Sequence, residues 1–181
     1  MIPNQTGKDD WATPQYIVDW ASENILLGRP FDLDAAAKAD TAKAPVYFGP
    51  GGAQADAFTA SWSAGRSTWT TVWCNPPYSR AGGGLAGWCA RMQYAAEHES
   101  CVVVGLFFAR TETRAWQDSV NQAAEVYLLR GRVKFIDPAT GKSPGPAPAP
   151  SALVMWRPGY TGPPEYRCLD LRALATIPRS T

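Results

Sequence analysis

Apolar positions near the start of the chain follow the spacing of an amphipathic helix. The residues from Ile17 to Ala21 show the i, i+3, i+4 pattern of one helical face. Thr13 and Pro14 precede them, and these residue types are typical of an N-cap and a first helical position. The pattern therefore predicts a first helix that ends near Gly28.

Two predicted strands end at polar residues. The segment FDLD at 31–34 alternates apolar and acidic residues, and the small residues after it predict a second, short helix. Residues 70–74 are rich in β-branched and aromatic side chains. This strand should stop at Asn75, because Pro76 and Pro77 cannot continue a ladder of hydrogen bonds.

Helices and strands continue to alternate in the second half of the chain. The pattern predicts a helix over 85–96, a buried strand over 101–108, a helix capped by Thr111, and strands over 126–129 and 152–156. This order predicts one α/β domain over 1–181, Rossmann-like, with a mostly parallel, doubly wound sheet and antiparallel strands near the C-terminus. Residues 1–8 and about 160–181 are expected to be peripheral tails.

A proline-rich stretch separates the last two predicted strands. Five prolines between residues 138 and 150 exclude a regular element there. The loop over 130–151 is either a plain surface loop of polyproline character or an arm that presents Arg130, Arg132 and Lys134 to a polyanion. The charge distribution supports a basic surface: residues 1–100 hold 7 Lys or Arg and 10 Asp or Glu, whereas residues 101–181 hold 10 and 6.

Composition excludes several classes of protein. With 181 residues, 45% of them hydrophobic, and a formal net charge of +1, the chain suits one globular domain and not a disordered tail. The four cysteines form no CxxC pair and there is one histidine, so no metal site is expected. Because neither a signal peptide nor an apolar run of 18 residues is visible, we expect a protein of the cytoplasm without membrane contact. The compact size and the absence of a repeated apolar patch favour a monomer.

The tetrapeptide NPPY after the strand over 70–74 suits the activation of a conjugated amine. Such an amine is a poor nucleophile, because its lone pair is delocalised. If the Asn75 side-chain oxygen and the Pro76 carbonyl each accept one of its N–H groups, the lone pair is freed toward an electrophile. The prolines hold these oxygens rigidly, and Tyr78 offers a ring face on which an unstacked base can lie.

With these residues the chain resembles the phage-type DNA N-6-adenine methyltransferases, which use S-adenosylmethionine. The matching segments are DDWATP at 9–14, FDLDAAA at 31–37, the group Asp56, Phe58 and Trp62, VWCNPPYS at 72–79, FFARTETRAW at 107–116, GRVKF at 131–135, and APS at 149–151. The resemblance covers most of the chain in the family's order. It implies methyl transfer to N6 of an adenine flipped out of double-stranded DNA.

The resemblance also implies roles for individual residues. Asn75, Pro76, Pro77 and Tyr78 would hold the target adenine. The residues implied to bind S-adenosylmethionine are Trp11, Thr13, Pro14, Asp34, Ala35, Ala36, Asp56 and Phe58. The residues expected to contact DNA are Ser79, Arg110, Arg130, Arg132 and Lys134. Thr13 and Pro14 would close over the methionine carboxylate at the N-terminus of the first helix.

The chain departs from the usual methyltransferase pattern at two points, and its motifs allow two alternative functions. The chain lacks the GxG loop that often follows the first strand of methyltransferases, and no clear acidic residue ends the second strand. An NPPY tip also occurs in enzymes that methylate a glutamine amide in protein or a guanine amine in RNA. A catalytically inactive module that binds nucleic acid is the alternative from another functional class.

Overall fold

Seven strands form one sheet within the part of the chain that the structure, a computed structural model, describes: residues 11–63, 69–78 and 83–174. The strands are β1 (Leu33–Asp34), β2 (Val46–Tyr47), β3 (Thr70–Cys74), β4 (Cys101–Phe108), β5 (Glu125–Arg130), β6 (Ser151–Trp156) and β7 (Glu165–Asp170). The helices are α1 (Gln15–Asn24), α2 (Gly84–His98), α3 (Arg114–Asp118) and α4 (Leu171–Leu174), and a 3₁₀ turn covers Val120–Gln122.

The sheet is mostly parallel. Its strand order is β2-β1-β3-β4-β6-β5-β7, and every neighbouring pair is parallel except the two that involve β6. Six strands therefore run in one direction and β6 runs against them. The predicted α/β sheet with antiparallel pairing toward the C-terminus is confirmed, whereas the finer expectation of a doubly wound, Rossmann-like domain stays a prediction.

The two central strands match their predicted bounds. All five residues of β3 are buried, as are six of the eight in β4, because layers of side chains cover both faces of the sheet. Gly105 lets α2 approach closely: a Cβ built on it would lie 2.8 Å from the Met92 sulfur. β3 ends at Cys74, where the two prolines begin, as the sequence predicts.

Different elements cover the two faces of the sheet. α1 and residues 133–147 of the proline-rich loop pack on the face that carries Trp73 and Leu106. α2 and α3 pack on the opposite face, against Val72 and Phe107. None of the described helices has the length and apolar character that a membrane span requires.

The short helix predicted after β1 is absent. Residues 35–42 form bends and turns, because both oxygens of the Asp34 carboxylate accept backbone N–H groups of this segment, from Ala36 at 3.2 Å and from Lys43 at 3.0 Å. A side chain that captures these amides holds an irregular loop in place of a helix.

Two predicted helices have other bounds. α1 begins at Gln15 with Pro14 as its N-cap and ends at Asn24, before Leu27 and Gly28 take left-handed backbone conformations. α3 begins at Arg114, because the Thr113 hydroxyl bonds the Arg110 carbonyl and so forms a turn ahead of the helix. After α3 the chain forms a 3₁₀ turn over Val120–Gln122.

The expectation of a peripheral C-terminal tail is wrong for residues 165–174. β7 pairs with β5 over six residues, and α4 buries Leu171 and Leu174. Four of the six β7 residues are exposed, so the strand shows no apolar alternation. Its pairing is made by backbone groups, which a hydropathy pattern does not register.

Candidate active site

Two polar strand ends meet at one edge of the sheet. β1 and β3 are parallel neighbours, and Asp34 lies opposite Trp73 in their register. Asn75 follows β3 directly, so it leaves the sheet beside the end of β1. Ligands of α/β proteins bind at the carboxyl ends of parallel strands. Asp34 and Asn75 both line a cavity at this edge.

This edge holds two adjoining cavities. The large cavity has a volume of about 480 Å³ and the small cavity one of about 120 Å³. Trp11, Asn75 and Pro77 line both of them. The remaining walls of the small cavity are Pro76, Tyr78, Phe108, Phe135 and Pro148. A ligand in the large cavity can therefore meet a second ligand in the small cavity at Asn75.

Most predicted site residues lie on these walls. All four residues of NPPY line the small cavity. The predicted donor-binding residues on the large cavity are Trp11, Thr13, Asp34, Ala35, Ala36, Asp56 and Phe58. Pro14 does not line either cavity, because it is buried behind Thr13 as the N-cap of α1.

The Asn75 side-chain oxygen is a buried acceptor. Its Oδ1 is shielded from solvent and has no hydrogen-bond partner among the described residues. Buried polar atoms are nearly always paired, since an unpaired one costs about 1–3 kcal/mol. An orphaned acceptor on the shared wall of two cavities is therefore suited to a donor group of a ligand.

Tyr78 forms an aromatic wall of the small cavity. Its ring stacks on Phe108, with centroids 4.2 Å apart and an angle of 13° between the planes. Burial raises the pKa of Tyr78 above its ordinary value, and the Arg110 guanidinium opposes that rise. The phenol is therefore neutral near pH 7, one face of its ring is covered, and Arg110 lies close to this cavity.

Asp34 supports one wall of the large cavity as a buried carboxylate. It is 2% exposed, and its two bonds to the amides of Ala36 and Lys43 hold the segment between them. Desolvation by burial raises the pKa of Asp34 from 3.8 to about 6, while these two amides and the Lys43 charge work in the opposite direction. The ionised form, which accepts both amides, dominates at neutral pH.

Stability and ligand binding should respond to pH in opposite directions through Asp34. The folded protein holds the Asp34 proton more tightly than the unfolded chain, so stability falls as pH rises from about 4 to 6, by about 3 kcal/mol in total. Binding in the large cavity should instead improve over that interval, because the ionised carboxylate holds the wall. Urea unfolding and ligand titration of wild type and Asp34→Asn between pH 4 and 7 measure both effects. A difference between the two proteins that is independent of pH would contradict this assignment.

The N-terminus of α1 and an ammonium group meet at one corner of the large cavity. Thr13 lines the large cavity, and α1 has no acidic residue in its first turn. The Lys43 ammonium lies 3.4 Å from the side-chain oxygen of Gln15, the first residue of this helix. Free backbone N–H groups, the helix dipole and an ammonium favour a carboxylate or phosphate at this point.

A buried arginine holds the opposite wall of the large cavity. Asp56 and Phe58 belong to a loop whose carbonyls at Ala57 and Ala60 accept hydrogen bonds from the Arg91 guanidinium at 3.2 and 2.8 Å. Arg91 also bonds both oxygens of Glu99 at 3.0 Å. α2 thus anchors the loop that presents Asp56 and Phe58.

The proline-rich loop is attached to the site. Ala12 and Ile136 exchange two backbone hydrogen bonds of 2.8 and 2.9 Å, which join the loop to the segment that begins α1. Phe135 is buried and Pro148 is exposed, and both line the small cavity. The loop therefore forms part of the cavity wall and is not a free arm.

The basic residues predicted to contact DNA lie at different distances from the small cavity. Arg110 follows β4 at the site edge of the sheet, and Lys134 is the exposed neighbour of Phe135. Arg132 is exposed and bonds the Ala147 carbonyl at 3.0 Å. Arg130 lies two strands away from β4 and pairs with Asp170 at 3.5 Å. Ser79 lies outside the described residues.

Several wall residues were missed from the sequence. They include Lys43 and Trp88 in the large cavity and Phe135 and Pro148 in the small one. Phe135 and Pro148 carried a signal, since they belong to the GRVKF segment and to the proline run. Lys43 carried none, because its position depends on an irregular loop.

Comparison with known proteins identifies a related family and a relative. A family model of DNA N-6-adenine-methyltransferases matches residues 3–174. The DNA N-6-adenine-methyltransferase of Haemophilus phage HP1 (strain HP1c1) is 29% identical over 155 residues, which are 85% of this chain and 82% of the phage protein. No solved structure matches the chain significantly.

Proposed function

The chain belongs to the DNA N-6-adenine-methyltransferase family and is an enzyme that methylates adenine N6 in DNA, and we propose that S-adenosylmethionine is its methyl donor, bound in the large cavity. The residues of that cavity fit such a ligand. Its volume of about 480 Å³ suits a drug-sized molecule. The corner formed by α1 and Lys43 would hold the carboxylate, and Phe58 with Asp56 would hold the adenine ring and its amine. When bound, S-adenosylmethionine supplies an electrophilic methyl group.

The small cavity would hold the target adenine. The Asn75 Oδ1 is shielded from solvent, so a base paired within a duplex cannot reach it and must be flipped out. Tyr78, backed by Phe108, offers its open ring face, and Phe135 and Pro148 close the cavity from the proline-rich loop. The base is therefore held among aromatic and proline side chains.

Asn75 would prepare the amine for reaction. Its unpartnered Oδ1 accepts one N6–H group, and the Pro76 carbonyl accepts the other, so the nitrogen lone pair leaves conjugation with the ring. The rigid backbone of Pro76 and Pro77 keeps both oxygens in place at the junction of the two cavities. The orphaned Asn75 oxygen on the wall shared by both cavities is the observation that carries this proposal.

A labelling experiment tests the proposed function. The purified protein is incubated with unmethylated double-stranded DNA and S-adenosylmethionine that carries a labelled methyl group, and the DNA is digested to nucleosides. We expect the label in N6-methyladenine. Label in glutamine of a protein substrate or in guanine of RNA would instead support the alternative substrates, and DNA binding without transfer would indicate an inactive module.

Arg132 and Lys134 should contribute to the salt dependence of DNA binding. Both are exposed on the loop that supplies Phe135 to the small cavity, and each phosphate contact adds about 0.9 to the slope of log K against log salt. The double variant Arg132→Ala, Lys134→Ala should bind DNA more weakly, with a slope shallower by about 2. Fluorescence anisotropy at several salt concentrations measures this change.

Two control variants accompany the double variant of Arg132 and Lys134. Arg157 follows β6, the one antiparallel strand, and so lies at the opposite edge of the sheet. Arg157→Ala should leave the slope unchanged. Lys134→Ala alone tests the charge without disturbing the bond between Arg132 and Ala147. An unaltered slope in the double variant would remove this loop from the DNA interface.

A further inference from the structure

One tryptophan on the wall of the large cavity has an indole N–H group without a partner among the described residues. Trp88 is 7% exposed, lines this cavity, and its Nε1 is shielded from solvent without a hydrogen-bond acceptor among the described residues. An unpaired buried donor is costly, and a buried indole N–H normally finds an acceptor. Phenylalanine would fill most of this space without that cost.

Three other buried tryptophans have acceptors for their N–H groups. Trp62 donates to the Ala57 carbonyl at 2.8 Å, Trp156 to the Ser119 carbonyl at 3.1 Å, and Trp116 to the Tyr166 hydroxyl at 3.3 Å. The Ala57 carbonyl also accepts from Arg91, so its two lone pairs are in use. Unlike these three, Trp88 has no acceptor for its N–H group among the described residues.

The position of Trp88 indicates which part of a ligand it meets. Its ring packs edge-on against Phe58, with centroids 4.7 Å apart. Phe58 and Asp56 form the wall assigned to the adenine ring of the methyl donor, whereas the α1 corner is assigned to the carboxylate. The acceptors of an adenine ring are its nitrogens N1, N3 and N7, and each of them can accept an N–H group.

We propose that the Trp88 indole N–H, orphaned on the wall of the large cavity beside Phe58, donates a hydrogen bond to a ring nitrogen of the adenine of the bound methyl donor. This inference rests on the proposed binding of S-adenosylmethionine in that cavity. Trp88 is then a binding and specificity residue. It discriminates for a purine with an acceptor at this point, because a ligand without one leaves the donor unpaired.

The first test compares two Trp→Phe variants. Trp88→Phe removes the N–H and keeps an aromatic ring against Phe58. We expect the Kd for S-adenosylmethionine, measured by isothermal titration calorimetry, to rise by about tenfold, with no loss of thermal stability. The matched control is Trp156→Phe, which loses a satisfied internal bond far from the cavity. It should melt at a lower temperature and bind the donor like wild type.

Ligand analogues identify the acceptor. The probes are S-adenosylhomocysteine and its 1-deaza, 3-deaza and 7-deaza forms, in each of which one ring nitrogen is replaced by carbon. One of these analogues should bind wild type about tenfold more weakly than S-adenosylhomocysteine and bind Trp88→Phe with no such penalty. This pattern in a double-mutant cycle assigns the hydrogen bond to a single pair of atoms.

The outcomes separate the inference from the proposed function. If wild type binds S-adenosylmethionine and Trp88→Phe binds it equally well, the inference is overturned and the proposed function stands. The same conclusion follows if every deaza analogue loses equal affinity for both proteins. If wild type does not bind S-adenosylmethionine, the proposed donor site itself is wrong.

Discussion

Replacing Asn75 with alanine is expected to lower kcat by about 10²–10³-fold, while the Kd for S-adenosylmethionine stays within about threefold of wild type. The reason is that the Asn75 oxygen acts on the amine of the target base, and its contact gains strength as the nitrogen becomes tetrahedral. Single-turnover methylation of a DNA duplex measures the chemical step, and calorimetry measures donor binding.

Asn75→Asp tests the oxygen and the NH2 group of the amide separately, because it keeps an oxygen acceptor and removes the NH2 group. A carboxylate still accepts an N–H group, so this variant should retain much more activity than Asn75→Ala. Asn24→Ala is the control, because Asn24 bonds only the Trp20 carbonyl at the exposed end of α1 and should leave kcat unchanged. Near wild-type turnover by Asn75→Ala would refute the proposed mechanism.

Replacing Arg91 with methionine is expected to lower the free energy of unfolding by about 3–5 kcal/mol and to weaken donor binding. Arg91 and Glu99 are only 8% and 15% exposed, and the substitution leaves the Glu99 carboxylate without its cation. It also removes the donors to the Ala57 and Ala60 carbonyls, which hold the loop with Asp56 and Phe58. Urea unfolding and donor titration measure the two losses.

A double substitution distinguishes the loss of the ion pair between Arg91 and Glu99 from a general loss of stability. Arg91→Met combined with Glu99→Leu removes both charges and should recover much of the lost stability, but not the donor affinity. Arg114→Met is the surface control, since its pair with Asp118 lies in solvent and should contribute little. Equal effects of Arg91→Met and Arg114→Met on stability would contradict the role assigned to Arg91.

The sequence predicted the central strands of the fold because their burial shows in their hydrophobic composition. β4 is a run of eight residues with both faces covered, and β3 ends at two prolines. β7 was missed because backbone pairing attaches a strand of mostly exposed side chains to β5. The helix expected after β1 failed for a related reason, since the Asp34 carboxylate outcompetes helical bonding of the amides it binds.

Likewise, the sequence predicted site residues only where neighbouring residues along the chain together indicate a chemical role. NPPY and Asp34 could be placed at one edge, because NPPY follows β3, Asp34 ends β1, and the pattern predicts these strands to be parallel. Trp88 lies on an apolar helical face, which is typical of core residues, and it stands out only because its N–H group lacks a partner among the described residues. Phe135 reaches the small cavity because Ala12 and Ile136 pair across more than a hundred residues of chain.

The order of amino acids alone determined the strand ends, the rigid oxygens of NPPY and the buried central strands, because each depends on neighbours along the chain. Folding in three dimensions decided which groups are left unpaired and which side chains share a wall. Those properties depend on residues far apart in the chain, such as Arg91 with Ala57 and Lys43 with Gln15. Hydrogen bonds and packing across such separations leave no periodic pattern, so they become visible only once the chain is folded.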